Sequence, residues 1–171
     1  MVVILSDTHG RTGHGLSGQL LADVRSSSLV IHAGDFTTRA VYDAISAEAA
    51  ELLAVVGNRD RLDLQRALPD HRTISIGDAR LLLVHGHSHT AQALSLFARE
   101  RQADLVIVGH THKPSIDSLG SIPVFNPGSH ADPRGNKRAY GRLTVDAGTI
   151  TATLCSMDGT PFDQISIDTT P

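Results

Sequence analysis

The chain has 171 residues, 40% of them hydrophobic, and a formal net charge of −3 with its ten histidines counted neutral. A chain of this length buries roughly 70% of its extended surface, so a single domain over residues 1–171 needs no staple to fold. The mild acidity argues against a basic nucleic-acid face. The lone Cys155 excludes an internal disulfide and fits a reducing cytoplasm. No apolar run approaches the roughly 18 residues of a membrane span.

The opening MVVILSD has no charged leader region, so no signal peptide is expected. Val2–Leu5, Leu29–Ala33, Leu52–Val56, Leu81–Val84 and Leu105–Val108 are short, continuous runs rich in Val, Ile and Leu, as strands buried on both faces should be. Helical spacing links Leu16, Leu20, Leu21 and Val24, then Val41 and Ile45, then Ala91, Leu94, Phe97 and Ala98. Such alternation implies parallel strands with crossover helices. At 73–84, Gly77-Asp78 separates two β-type runs and marks a hairpin. Beyond residue 114 helical signals cease, and SIPVF, AYGRLTV and TITATLCSM read as strands, the last two joined at DAG. The tail FDQISIDTTP holds a final short strand or frays. The fold class is therefore α/β, as two packed sheets with helices outside or one mixed sheet.

Polar residues follow each buried strand. They are Ser6, Asp7, Thr8 and His9; Gly34 and Asp35; Gly57, Asn58, Arg59 and Asp60; His85, Gly86 and His87; and Gly109, His110, Thr111 and His112. Parallel strands would bring these clusters to one edge, outside the carboxyl ends where open α/β sheets bind ligands. Carboxylates, an amide and imidazoles without thiolate suit Mn²⁺, Fe²⁺, Zn²⁺ and related ions. Seven such ligands exceed one tetrahedral ion and suit two ions, with Asp35 as the bridge, one oxygen to each. Two ions about 3.5–4 Å apart would clamp a phosphoryl displacement and acidify a water between them.

Asp7-x-His9, Gly34-Asp35, Gly57-Asn58, His85-Gly86-His87 and Gly109-His110-Thr111-His112, in this order, resemble the calcineurin-like metallophosphoesterase superfamily. GHTHKP and NPGS (Asn126 to Ser129) are similar to the small YfcE/MJ0936-type phosphodiesterases, to which the non-enzymatic Vps29 is related. The resemblance implies an α/β/β/α sandwich of two mixed sheets flanked by helices. It implies a dinuclear centre in which Asp7, His9, Asp35 and His112 hold one ion and Asp35, Asn58, His85 and His110 the other. Manganese is the first choice of metal, with nickel, zinc, iron(II) or magnesium as alternatives. The implied activity is phosphodiesterase hydrolysis of a small phosphate ester by a metal-bound hydroxide. Phosphomonoesterase or nucleotide pyrophosphatase action on the same centre is the alternative. So is a Vps29-like protein-binding scaffold, whose relatives lack ligands that this chain keeps. A homo-oligomer is open; membrane and nucleic-acid partners are not expected.

Other readings compete residue by residue. Asp7 and Asp35 could be helix N-caps. His85 sits where its strand ends and is the ligand, with His87 free to replace it or to reach the substrate phosphate. His32 reads as a hydrogen-bonded core histidine, and His14, His71 and His130 as surface or loop residues, although His130 could approach the site. Relatives place His or Cys where this chain has Arg59. Arginine cannot act as a general acid, but it can hold a phosphate oxygen beside Asn58. Its alternative is an ion pair with Asp60 or Asp63.

Overall fold

A computed structural model describes residues 1–169. In chain order the elements are β1 (Val2–Leu5), α1 (Gly18–Ser26), β2 (Leu29–His32), α2 (Arg39–Glu48), β3 (Leu52–Ala54), α3 (Leu62–Ala67), β4 (His71–Ile76), β5 (Ala79–Val84), α4 (Ala91–Glu100), β6 (Leu105–Ile107), β7 (Ser115–Leu119), β8 (Ile122–Asn126), β9 (Tyr140–Asp146), β10 (Thr149–Cys155) and β11 (Pro161–Asp168). One sheet runs β11-β10-β9-β1-β2-β3 and the other β4-β5-β6-β8-β7. Strands β1, β2 and β3 are parallel, as are β5, β6 and β8. The β9–β11 meander and the edges β4 and β7 are antiparallel, so both sheets are mixed.

Alternation along each strand builds the layers. Val2 and Ile4 of β1 face the second sheet and pack with Leu81, Leu83, Ile107 and Phe125. Val3 and Leu5, pointing the other way, pack with Leu20 and Val24 of α1 and Val41 and Ile45 of α2. In the second sheet Leu82, Val84 and Val106 turn outward against Leu94 and Ala98 of α4. The order is therefore helix, sheet, sheet, helix, and both faces of the central strands are covered. This is why their sequences are continuously apolar rather than alternating. Each fully buried Ile or Leu here contributes about 1.5–3 kcal/mol. Cys155 is one more apolar member of the α1–α2 layer.

The structure differs from the sequence pattern in three ways. β2, β3 and β6 end at His32, Ala54 and Ile107, one or two residues early. Ala33, Val55–Val56 and Val108 stay apolar but have already left the ladder. Helix α3 has one buried residue, Leu64, and so no periodicity to detect. Strand β7, SIDSL, has an exposed Asp and Ser at its centre and, among the described residues, pairs only with β8. Of the two readings of the tail, the strand holds for Pro161–Asp168, the eight residues of β11, while residues 170–171 lie outside the described residues.

His130 is not a surface residue but fully buried, with its Nε2 3.0 Å from the His14 carbonyl and its Nδ1 without a hydrogen bond. His14 and His71 are half-buried. Burial pushes the His130 imidazole down to about 4, so it stays neutral in the folded protein near neutral pH. In the unfolded chain it titrates near the ordinary 6.5. Its contribution to stability is thus complete above 6.5 and is lost as the pH falls towards 4. That loss amounts to about 3 kcal/mol from this residue. Urea unfolding of metal-free protein should show a stability decline over that window, and His130→Gln, which keeps a donor for the His14 carbonyl, should flatten it.

Candidate metal centre

The carboxyl ends of β1, β2, β3, β5 and β6 all open on one edge of the sandwich, and the polar clusters meet there. Backbone hydrogen bonds zip the first two loops together, Asp7 N–H to the Gly34 carbonyl and His9 N–H to the Asp35 carbonyl, each at 3.0 Å. Beneath them lies His32. Its Nδ1 accepts the Gly34 N–H at 3.1 Å, which leaves the proton on Nε2 to donate to Thr8 Oγ1 at 2.9 Å. His32 is therefore the buried supporting residue that its place in a strand suggests, and it does not face the cluster.

Seven side-chain atoms converge in two groups that share Asp35. In the first, His112 Nε2 lies 3.3 Å from Asp7 Oδ1 and 3.2 Å from His9 Nε2. His9 Nε2 is in turn 3.3 Å from Asp35 Oδ2. In the second, His85 Nε2 lies 3.4 Å from Asp35 Oδ2 and 3.1 Å from Asn58 Oδ1, which is 3.1 Å from His110 Nδ1. Asp7 also falls within 4.8 Å of the Asp35–His85 pair, so the two groups form one continuous cluster. A single oxygen of Asp35, Oδ2, faces both groups. The other, Oδ1, accepts the Arg59 N–H at 2.7 Å, so the two carboxylate oxygens are not divided between the groups as the sequence reading supposed.

Three features fit this cluster to cations. Asp7 Oδ1 is buried and has no hydrogen-bond partner, although burying an unpaired anionic oxygen is costly. His85 Nδ1 donates to the Ala33 carbonyl at 2.7 Å, and His112 Nδ1 to the Asp132 carbonyl. Both imidazoles thus present a free Nε2 lone pair to the cluster, the tautomer a metal ligand needs. Finally, Asp7, His9, Asp35, His110 and His112 all have φ between 45° and 69°. Non-glycine residues held in this left-handed region cost roughly 1–3 kcal/mol each and gather at functional sites. Neither aspartate caps a helix: the caps of α1 and α2 are Ser17 and Thr38.

The charges are tightly coupled. Burial raises the Asp35 carboxyl, but the His85 hydrogen bond and charge and the Arg59 N–H outweigh it and hold it below the usual carboxylate range. For His85, burial is outweighed by Asp35, and the imidazole is raised. A proton can therefore occupy the position a cation would take. Burial is also the largest influence on His87 and His110, reinforced by His85, and both are lowered.

Arg59 and His87 flank the cluster. Both are exposed, and the His87 ring is centred 5.3 Å from His85 and 6.2 Å from His110. Arg59 has no ion pair among the described residues. Asp60 turns inward instead and accepts the Gly57, Thr37 and Asp35 N–H groups at 2.8, 2.7 and 3.2 Å. Burial, its largest influence, raises this carboxyl. The sequence reading considered Asp60 only as a partner for Arg59 and missed its structural role. It likewise missed what NPGS does. Asn126 Nδ2 donates to the Gly109 carbonyl at 2.9 Å, and Ser129 Oγ to the Asp7 carbonyl at 2.7 Å, which buttresses both ligand loops from behind.

Comparison with known proteins agrees with the geometry. A family model described as the calcineurin-like phosphoesterase superfamily domain matches residues 1–148. The probable metallophosphoesterase MJ0623 of Methanocaldococcus jannaschii is 30% identical over 151 residues, covering 85% of this chain and 76% of that protein. Phosphodiesterase YfcE of Escherichia coli K12 is 32% identical over 118 residues, 66% of this chain and 62% of that protein. The solved YfcE structure superposes with a TM-score of 0.71 at 23% identity, over 97% of this chain and 98% of that one. Vps29 of Entamoeba histolytica, solved in complex with zinc, gives 0.76 at 23% identity, over 99% of each chain. At these identities the superpositions speak for the fold alone.

Gly57 leaves no room beside the shared carboxylate, since a Cβ there would overlap Asp35 Oδ1 and the Asp35 backbone nitrogen. Gly57→Ala should displace Asp35, lower stability by about 1–3 kcal/mol and reduce the divalent metal content. Thermal unfolding with metal analysis of the same preparation checks both effects.

Proposed function

The chain belongs to the calcineurin-like phosphoesterase superfamily, and we propose that it is a divalent-metal-dependent phosphodiesterase acting on a small phosphate ester through one domain. Asp7, His9, Asp35 and His112 would hold one cation, and Asp35, Asn58, His85 and His110 a second. The observation that carries this reading is Asp35 Oδ2, which lies 3.3 Å from His9 Nε2 and 3.4 Å from His85 Nε2 and so joins both donor groups. Manganese suits the mixed oxygen and nitrogen donors. When bound, such cations would supply Lewis acidity towards phosphate oxygens and towards an attacking water.

The chain's own residues do the rest. Asp60 holds the Asp35 and Thr37 N–H groups and the Arg59 N–H holds Asp35 Oδ1, so Asp35 Oδ2 stays aimed at the cluster. His85 and His112 are locked by their carbonyl partners in the ligating tautomer. The Arg59 guanidinium, one residue from Asn58 and free of carboxylate partners among the described residues, would hold a phosphate oxygen bidentately. His87, on the neighbouring loop, has an imidazole N–H to offer a second oxygen. Arg59 cannot deliver a proton to the departing oxygen, so esters whose leaving groups need none are favoured.

Metal loading alone does not separate this reading from a scaffold role like that of Vps29, because a Vps29 has been crystallised with zinc. Turnover separates the two readings. The protein should hydrolyse bis(4-nitrophenyl) phosphate with Mn²⁺, and faster than 4-nitrophenyl phosphate; a marked monoester preference sinks the diesterase reading. Asp35→Asn should abolish this activity and lower the metal content together. If Asp35→Asn keeps full turnover, the shared-carboxylate centre is wrong.

Arg59→Ala should lower kcat/KM by roughly 10–100-fold, the worth of a charge-assisted hydrogen bond. Steady-state kinetics on the Mn²⁺ enzyme would measure it. A variant within twofold of the parent would remove Arg59 from the phosphate.

A further inference from the structure

A cavity of about 310 Å³ lies directly beside the cluster, between the start of α4 and the β7–β8 hairpin. One wall is the loop that carries His110, with Gly109 and Thr111 on either side. His110 thus joins the two, with its Nδ1 directed at Asn58 Oδ1 and the cavity lined by the same residue. The remaining wall is largely apolar, formed by Leu94 from α4, Val108, Leu119 and Val124. Leu94 and Val124 are almost fully buried, whereas Val108 and Leu119 are half-exposed towards the open space. Asp117 and Ser118, on the edge strand β7, complete the rim.

The surroundings make this a preformed concavity rather than slack packing. His110 is held at φ 69° and its loop is pinned by Asn126. Leu94 and Val124 belong to the packed layer beneath α4. The cavity on the other side of Gly86 is different in kind, because Asp70, His71 and His87 line it, with His89 shared between the two. The cluster thus has an apolar space on its His110 side and an imidazole-rich one on its His87 side.

We propose that the cavity between α4 and the β7–β8 hairpin binds a planar aromatic arm of the substrate, so that this chain prefers aryl-bearing phosphodiesters to alkyl ones. The inference rests on the phosphodiesterase reading and names the substrate class of that site. The volume is at the lower end for small-molecule pockets and suits one ring system rather than an extended chain. A phosphate held at the cluster would lie beside His110, which lines the same cavity as Leu94 and Val124. Transfer of a flat apolar surface from water into this space favours binding, while a methyl ester leaves most of it empty. The Asp117 carboxylate at the rim disfavours arms that carry a negative charge.

The test compares phenylphosphonate with methylphosphonate, which share a phosphorus headgroup and differ in the arm. With Mn²⁺-loaded protein, calorimetry should give a Kd about tenfold lower for phenylphosphonate. In the Mg²⁺ form, nuclear Overhauser effects should connect the phenyl protons to methyl groups of Leu94, Leu119 and Val124. Ser118→Trp and, from the opposite wall, Ala91→Trp fill the cavity at exposed positions, and each should collapse the affinity ratio towards one. Equal affinities, a ratio untouched by both substitutions, absent methyl contacts, or binding of neither phosphonate would each overturn the proposal. Hydrolysis of bis(4-nitrophenyl) phosphate is measured in parallel. Turnover without an aryl preference removes the cavity assignment alone. A cavity-dependent preference without turnover leaves the assignment standing and removes the phosphodiesterase reading.

Discussion

Two carboxylates, Asp7 and Asp35, sit nearly free of solvent at the ends of parallel strands, and the surrounding structure is organised around their charge. An anion taken out of water must find compensation. Asp35 has backbone N–H support on one oxygen only, and Asp7 has Ser6 Oγ and the His110 N–H on Oδ2 at 2.6 and 2.9 Å. The remaining oxygens, Asp7 Oδ1 and Asp35 Oδ2, face imidazole nitrogens. A protein that needed these aspartates only for stability would pair them more completely. The deficit lies where positive charge from outside the chain would remove it.

Holding that arrangement requires an unyielding backbone. Five of the seven proposed ligands adopt left-handed conformations that their side chains disfavour. Such conformations persist only where the surroundings over-determine them. Here the surroundings are the two-sheet core on one side and two sets of buried polar contacts on the other. His32 and Asp60 tie the loops after β1, β2 and β3 from below, and Asn126 and Ser129 tie the loops after β1 and β6 from behind. Close loop approach also explains Gly109, where a Cβ would overlap Ser6 Oγ. The glycine admits the neighbouring loop rather than a ligand.

What could be read in advance follows from which physical signals are local. Continuous apolar runs mark strands covered on both faces, so β1, β2, β5 and β6 were legible. Polar residues after each run were legible as a set, because parallel strands end together. The resemblance to a known superfamily then divided the ligands into two groups. The supporting residues were not legible. Nothing in the sequence distinguishes Asp60, which accepts three backbone N–H groups, from an exposed aspartate beside an arginine. His130 likewise looks like a loop residue until the β1–α1 loop closes over it. Strand β7 and helix α3 carry too few buried residues to leave a pattern. Each of these depends on chain segments distant in sequence, and periodicity reports only on neighbours.

Arg59 and the cavity beside His110 bear on the same chemical question from opposite sides. A guanidinium next to Asn58 can balance charge on a phosphate but cannot protonate the oxygen that departs. His110 is engaged with Asn58, and His87 stands on the far side of His85 from the apolar space. An oxygen leaving towards that space would therefore draw no proton from Arg59, His110 or His87, and His89, which shares its wall, is stacked on Phe97. An alkoxide is a poor candidate for such a departure, while an aryl oxide disperses its charge into its ring. The ring is also the part that Leu94, Leu119 and Val124 would receive. A guanidinium that cannot serve as an acid and an apolar wall would thus favour the same kind of ester, one whose leaving group is both stable as an anion and flat enough to enter the cavity.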